Sequence, residues 1–237
     1  MMRKSIINII LLFIFGIAGG IFADQILWPY LIERPLFYQY DLDSSIKVTE
    51  RTETIIQENT ALQDAIEKAN KVVVAVRSTM GNKVINGSAL IISSDGLLLV
   101  LSDIVPSGSQ TKLLWDGKSR SFQILKRDNV LGLTLIKMEE SGLSTAEFAD
   151  MSKLRLGARI FLINITIDSK SIIKETVDEG IVKSLDDDLI QTNIIDKGVL
   201  GSPIFNIEGG IVGLGLADKN GNVIILSADK LREFIGL

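Results

Sequence analysis

After residue 70 the chain is a succession of short apolar runs, none of which reaches the length of a core helix. Most of the runs are rich in Val and Ile, which favour strands. They are Val72–Val76, Ala89–Ile92, Leu97–Leu101, Leu113–Trp115, Leu133–Ile136, Ile160–Ile163, Gly180–Val182, Ile204–Phe205, Ile211–Leu214 and Val223–Leu226. This pattern predicts an all-β body.

Turn signals separate the runs. The dipeptides Asp95-Gly96 and Asp116-Gly117, and a third at 220–221, supply the positive φ that a tight hairpin needs. Strands at this spacing predict a sandwich or barrels, and the length after residue 70 fits one large unit or two six-stranded barrels.

The N-terminus has a different character. Residues 5–23 contain no charged side chain, and a helix of that length rises about 28 Å, close to the thickness of a bilayer's hydrocarbon core. Arg3 and Lys4 precede the run, which by the positive-inside rule keeps the N-terminus in the cytoplasm. Residues 1–23 are therefore predicted to be a cytoplasmic tip and a transmembrane signal-anchor that contacts the lipid bilayer through residues 5–23. The protein would be a single-pass membrane protein with an extracytoplasmic C-terminal domain, in a bacterial envelope; secretion after signal cleavage is the alternative.

The remaining chain is divided by its patterns into four parts. Residues 24–58 mix aromatic, Pro and charged residues without a period and are predicted to be a juxtamembrane stalk. Residues 59–70 show the spacing of one helical face and are predicted to form a short helix. Residues 71–150 are assigned to a first β-barrel, and 151–237 to a second barrel with a C-terminal helix.

Composition excludes several classes of function. The 25 Lys and Arg residues are outnumbered by 29 Asp and Glu, without a basic stretch, which argues against nucleic-acid binding. The absence of Cys excludes disulfides and thiolate metal sites, and the absence of His removes the commonest general base and metal ligand. No cofactor and no metal site are expected.

Three segments are candidates for catalytic or ligand-binding chemistry. The acidic run 186–188 lacks the alternation of a calcium loop and is predicted to be a solvated hairpin turn. The glycine-rich run 208–215 does not spell the dinucleotide fingerprint, and hairpin geometry explains it better. Ser202 with Lys197 is the hydrolytic dyad that the loss of His leaves open, although the spacing does not support it.

The segment at residues 87–96, Gly-Ser-Ala-Leu-Ile-Ile-Ser-Ser-Asp-Gly, resembles the G-S-G-x-I-I-S-x-D-G motif of HtrA/Deg trypsin-like serine proteases. Residues 113–118, 179–184, 191–206 and 210–214 are similar, in order, to further segments of that family. The resemblance extends over about residues 71–235. It implies a double β-barrel, chymotrypsin-type fold of two packed six-stranded barrels with a peptide-binding cleft between them.

The three catalytic positions of that family carry other residues here. By this resemblance Asp103 stands at the His position, Gly132 at the Asp position and Leu200 at the nucleophilic Ser position. The backbone of Gly198 and Leu200 would supply what remains of an oxyanion hole. The resemblance therefore implies a degenerate member without a catalytic triad.

We expect this pseudoprotease to be a peptide-binding, protein-binding or regulatory module of the cell envelope. Its partner would be an extended peptide or an envelope protein in the inter-barrel groove, where Leu200 makes the floor apolar. The domain's own residues 41–56 could lie there in its place, and a filled groove that binds nothing is the alternative. An active serine-type hydrolase using Ser202 with Lys197 is one alternative, and a structural envelope protein is another. Because the chain ends just after the last predicted helix, we expect no C-terminal PDZ domain. Asp103 needs a donor if it is not solvated, and Ser102 and Lys137 are candidates.

Overall fold

The computed structural model describes residues 2–27, 60–168, 172–186 and 189–237. The chain divides into two compact units, Met1–Glu58 and Asn59–Leu237. In the first unit, helix α1 (Met2–Phe22) continues into a π-helical turn, Ala23–Leu27. Among the described residues, no helix combines the length and apolar character needed to cross a membrane. The anchor predicted over residues 5–23 therefore has no support from the structure, and the stalk predicted over 24–58 lies outside the described residues from residue 28 onward.

The second unit begins with helix α2 (60–70) and a seven-stranded antiparallel sheet. The strands of this first sheet are β1 (Val73–Met80), β2 (Lys83–Ile91), β3 (Leu97–Leu101), β4 (Gln110–Trp115), β5 (Lys118–Arg120), β6 (Phe122–Asp128) and β7 (Leu133–Met138). Their order across the sheet is β5-β4-β1-β2-β3-β7-β6.

The first sheet is not the closed six-stranded barrel that the resemblance implies. Its two edge strands, β5 and β6, are consecutive in the chain and are separated by Ser121 alone. Strands that follow each other this directly have no turn with which to pair side by side. The sheet therefore stays open: β5 and β6 are joined directly through Ser121, but they do not pair with each other.

The second sheet closes into a barrel, as expected. Its strands are β8 (Arg159–Ile167), β9 (Ile173–Leu185), β10 (Leu189–Ile195), β11 (Pro203–Asn206), β12 (Ile211–Ala217) and β13 (Asn222–Ser227). Their order around the barrel is β10-β13-β12-β11-β8-β9. Helix α3 (Ala228–Ile235) follows β13 and ends at Gly236, which is left-handed with φ of 83°.

The predicted turns are confirmed. Asp116 and Gly117 both have positive φ (51° and 68°) between β4 and β5, as a two-residue type I′ hairpin requires. Gly96 and Gly221 also have positive φ. The acidic run around 186–188 falls between β9 and β10, and its residues 187–188 lie outside the described residues. In the glycine-rich run, residues 208–210 connect β11 to β12, whereas residues 211–215 belong to β12 itself.

Strand β8 lies between two cores, which explains why it reads as a nearly continuous apolar run. Ile160 and Leu162 pack inside the closed barrel, whereas Phe161 and Ile163 belong to a core shared with the first sheet. Phe161 stacks on Phe205 with ring centroids 5.5 Å apart. Burying each such side chain contributes about 1.5–3 kcal/mol to stability. This shared core holds the two sheets together and so fixes the groove between them.

Candidate functional site

A groove of about 730 Å³ opens between the first sheet and the barrel. From the first sheet it is lined by Met80, Lys83, Val84, Ile85, Asn86, Ser102, Asp103, Pro106, Arg127 and Asn129; from the barrel by Lys197, Gly198 and Leu200. We call it the inter-barrel groove. It contains Asp103, Leu200 and Gly198, three of the positions singled out in the sequence.

Asp103 lies on a 3₁₀ turn, Ser102–Ile104, that follows strand β3. Two contacts of Ser102 hold this turn in place. Its N–H donates to the carbonyl of Gly132 at 2.8 Å, and its Oγ lies 2.9 Å from Thr134 Oγ1. Arg127 adds a hydrogen bond to the carbonyl of Val105 at 2.7 Å. The Asp103 side chain itself is exposed.

Neither donor suggested for Asp103 is correct. Ser102 Oγ is occupied with Thr134, and Lys137 Nζ pairs with Asp95 Oδ2 at 2.6 Å. That pairing, followed by the Ser93 hydroxyl, holds the pKa of Asp95 below its ordinary value. Asp103 makes no hydrogen bond or ion pair with another described residue, so exposure to water is what keeps its carboxylate solvated.

Gly132 is adjacent to the Asp103 turn but does not line the groove. It has a φ of 67°, a left-handed conformation that side-chain-bearing residues rarely adopt. Asp128 orders the loop before it by accepting hydrogen bonds from the N–H groups of Leu131 and Val130 at 2.9 and 2.8 Å. These bonds, Leu131 first, lower the pKa of Asp128.

Leu200 lines the groove and packs half-buried against the shared core. Two glycines let its loop approach strand β2. A Cβ added to Gly87 would lie 2.7 Å from the carbonyl oxygen of Leu200, and one added to Gly201 would lie 2.9 Å from that of Ser88. Both separations are too short for a side chain, so glycine is required where the loop contacts the first sheet.

The candidate oxyanion-hole donor at Gly198 is already bonded. Its N–H donates to Asp196 Oδ1 at 2.7 Å, and its carbonyl accepts from Asn164 Nδ2 at 3.2 Å. A free, preorganised donor is what stabilises an oxyanion. In this structure the Asp196 carboxylate already accepts that hydrogen bond.

The structure does not bring together Ser202 and Lys197, the residues of the alternative catalytic dyad. Ser202 is completely buried, and its Oγ has no hydrogen-bond partner among the described residues. Lys197 is exposed and lines the groove, from which Ser202 is absent. A nucleophile must be within hydrogen-bond reach of its base, and these two residues do not meet that condition.

Charge in the groove is unbalanced. Lys83, Arg127 and Lys197 are its cationic residues, whereas Asp103 is its one acidic residue. In the described part of the chain, no cluster of acidic side chains could hold a metal ion. The sequence singles out Lys197 only as a partner for Ser202, and it does not single out Lys83, Arg127 or Asp196, which in sequence resemble ordinary surface charges. For Lys83 and Asn86, the nearby motif at residues 87–96 was a signal that could have identified them.

A closed six-stranded barrel packed against a second, curled β-sheet, with a groove between them, defines the trypsin-like class of fold. The family described as "Trypsin-like peptidase domain" matches residues 87–214, more than half of the chain. The chain belongs to this family and is HtrA/Deg-like within it.

The curated relatives agree. The chain is 29% identical over 166 residues to "Serine protease HTRA1" of Xenopus laevis, a match that covers 63% of this chain and 35% of that protein. It is 30% identical over 156 residues to "Probable periplasmic serine endoprotease DegP-like" of Bartonella henselae, covering 60% of this chain and 30% of that protein. The matched part thus spans about a third of the length of these relatives.

Proposed function

We propose that this protein is a trypsin-like pseudoprotease whose inter-barrel groove binds an extended peptide segment of another envelope protein and does not cut it. The observation that carries the proposal is the content of the groove: Leu200 and Asp103 lie there, and no His exists anywhere in the chain. We take these two residues, with Gly132, to stand at substituted triad positions. Hydrolysis of a peptide bond by a trypsin-like protease needs an activated nucleophile and a base.

The serine that lines the groove is not free to act as a nucleophile, because its hydroxyl already contacts another hydroxyl. Ser102 is the one hydroxyl residue among those that line the groove, and its Oγ is 2.9 Å from that of Thr134. Leu200 cannot attack a carbonyl, and its isobutyl group adds apolar surface to the groove. These features support holding a segment in place of cleaving it.

An unpaired strand edge supports the peptide-binding part of the proposal. Strand β2 pairs with β1 from Lys83 to Leu90, but with β3 only at Leu90 and Ile91. Residues 83–86 therefore have no second strand partner among the described residues, and all four line the groove. Such an edge can accept an extended peptide by β-augmentation.

The envelope location is supported by relatives whose names include "periplasmic". Attachment to a membrane through residues 5–23 is a separate proposal that depends on the sequence alone.

A binding measurement on the full chain tests the proposed function. Fluorescent extended peptides of about twelve residues, in acidic, neutral and basic sets, are titrated and followed by anisotropy. Leu200→Asp places a charge in the groove and should weaken binding of any bound set by tenfold or more. Leu156→Asp is the matched control, since Leu156 is 66% exposed and outside the groove. If no set binds, or if both variants bind like wild type, the proposed function is wrong.

A further inference from the structure

The groove's charge is opposite in sign to that of the whole chain. The chain has 25 basic and 29 acidic residues, a net charge of −4. The groove lining has three cations, Lys83, Arg127 and Lys197, against the single carboxylate of Asp103. An anionic ligand would thus be repelled by the chain as a whole but attracted at this place.

The groove cations are not neutralised by neighbouring carboxylates. Ion pairs in the described part of the chain include Arg120–Glu140, Arg159–Glu179 and Arg232–Asp229, and none of those described involves a groove cation. Arg127 instead donates to the carbonyl of Val105, which leaves its charge uncompensated. Lys83 and Lys197 are exposed and make no ion pair with another described residue.

Two of these cations are placed where a bound strand would meet them. Lys83 begins strand β2, whose unpaired edge at residues 83–86 borders the groove. Lys197 lines the groove from the barrel, in the turn before Gly198 and Leu200. A segment added to the β2 edge would run between the two lysines, and successive side chains of an extended chain point alternately to opposite sides.

From this arrangement we infer that the groove selects acidic extended segments, with carboxylates of the ligand meeting Lys83 on the first sheet and Lys197 on the barrel. This inference rests on the proposed function and names the chemistry of its partner. The apolar part of the ligand contacts Val84 and Leu200. Selection comes from the charges, because an uncharged peptide could make the same backbone and apolar contacts.

The test uses the full chain and three peptides of identical length that differ only in charge: one with Asp and Glu, one with Asn and Gln in their places, and one with Lys. We expect the acidic peptide to bind about tenfold more tightly than its amide counterpart at low salt. Lys83→Gln and Lys197→Gln should each weaken acidic binding about threefold and weaken binding of the amide peptide less. Lys118→Gln is the control, since Lys118 is exposed and outside the groove.

A charge-reversal variant distinguishes a change of ligand selectivity from a loss of folding. The double variant Lys83→Glu with Lys197→Glu should prefer the basic peptide, an outcome that an unfolded protein would not give. Equal binding of the acidic and amide peptides, with both weakened by Leu200→Asp, would overturn acidic selection while leaving the proposed function intact. Tighter binding of single-stranded DNA than of the acidic peptide would also overturn it. Failure of every peptide to bind would overturn the inference and the proposed function together.

Discussion

The backbone N–H of Gly198 donates a hydrogen bond to Asp196 Oδ1 at a distance of 2.7 Å. This contact fixes the turn that enters the Leu200 loop and occupies one of the two backbone donors, Gly198 and Leu200, on which an oxyanion hole would depend. A second bond, from Asp196 N–H to the carbonyl of Gly221 at 2.9 Å, ties the same turn to the β12–β13 connection.

Removing the Asp196 carboxylate should loosen this turn. We expect Asp196→Ala to lower the free energy of unfolding by about 0.5–1.5 kcal/mol, the net value of one hydrogen bond. Asp196→Asn keeps an oxygen acceptor and should cost less. Urea unfolding followed by circular dichroism measures both variants. Equal losses would show that the Gly198 contact does not stabilise the turn.

The buried hydroxyl of Ser202 should contribute nothing to stability. Its Oγ is fully buried without a partner, so Ser202→Ala removes an unsatisfied polar group and should leave the free energy of unfolding unchanged or raise it by about 1 kcal/mol. Ser88 is the matched control, since it is equally buried but accepts a hydrogen bond from Ile165 N–H at 3.1 Å. Ser88→Ala should cost about 1–3 kcal/mol. A comparable loss in both variants would mean that Ser202 has a partner.

The close approach at Gly87 should be intolerant of a methyl group. A Cβ there would lie 2.6 Å from Ile104 Cδ1 and 2.7 Å from the Leu200 carbonyl oxygen. Since the backbone oxygen cannot move aside without shifting its loop, Gly87→Ala should cost about 1–3 kcal/mol. Gly210→Ala is the comparison, because its nearest neighbours lie at 3.3 Å. Thermal unfolding should rank Gly87→Ala well below Gly210→Ala, and the reverse order would refute this account of the contact.

Stability should fall in acid. The pKa of Asp128 is lowered by the N–H groups of Leu131 and Val130, and that of Asp95 mainly by Lys137. Carboxyls whose pKa is lower in the folded state stabilise it above their unfolded pKa, and this stabilisation is lost as the pH falls through the folded value. The urea midpoint should therefore drop below about pH 4, and it should drop less in Asp128→Asn. An identical pH dependence in wild type and variant would contradict the role given to Asp128.

The sequence was most informative where strands are buried. Strand β3 was predicted with its observed bounds, Leu97–Leu101, because each of its residues is apolar. Strand β6 (Phe122–Asp128) was missed, since it is an edge strand with mostly exposed side chains and no strict alternation. Strand β9 (Ile173–Leu185) was predicted only at its buried Gly180–Val182 part, because exposed charges interrupt the rest.

The site shows the same division. The resemblance selected Asp103 and Leu200, and the structure brings both to one groove. The resemblance could not select Arg127 and Asp196, because no motif includes them. Their hydrogen bonds, to Val105 and from Gly198, depend on the folded path of the loops. The sequence also could not predict that the first sheet stays open, because this depends on β5 and β6 being consecutive strands that do not pair with each other.

The most direct test of the pseudoprotease proposal is proteolysis by the purified full chain. It is incubated with an unfolded protein substrate and, separately, with a fluorophosphonate probe that labels activated serines, with trypsin as the positive control. We expect no cleavage above that in buffer and no labelled serine, because the chain has no His and Leu200 lies in the groove. Cleavage that disappears in Ser202→Ala or Ser102→Ala, or a label on either serine, would contradict it.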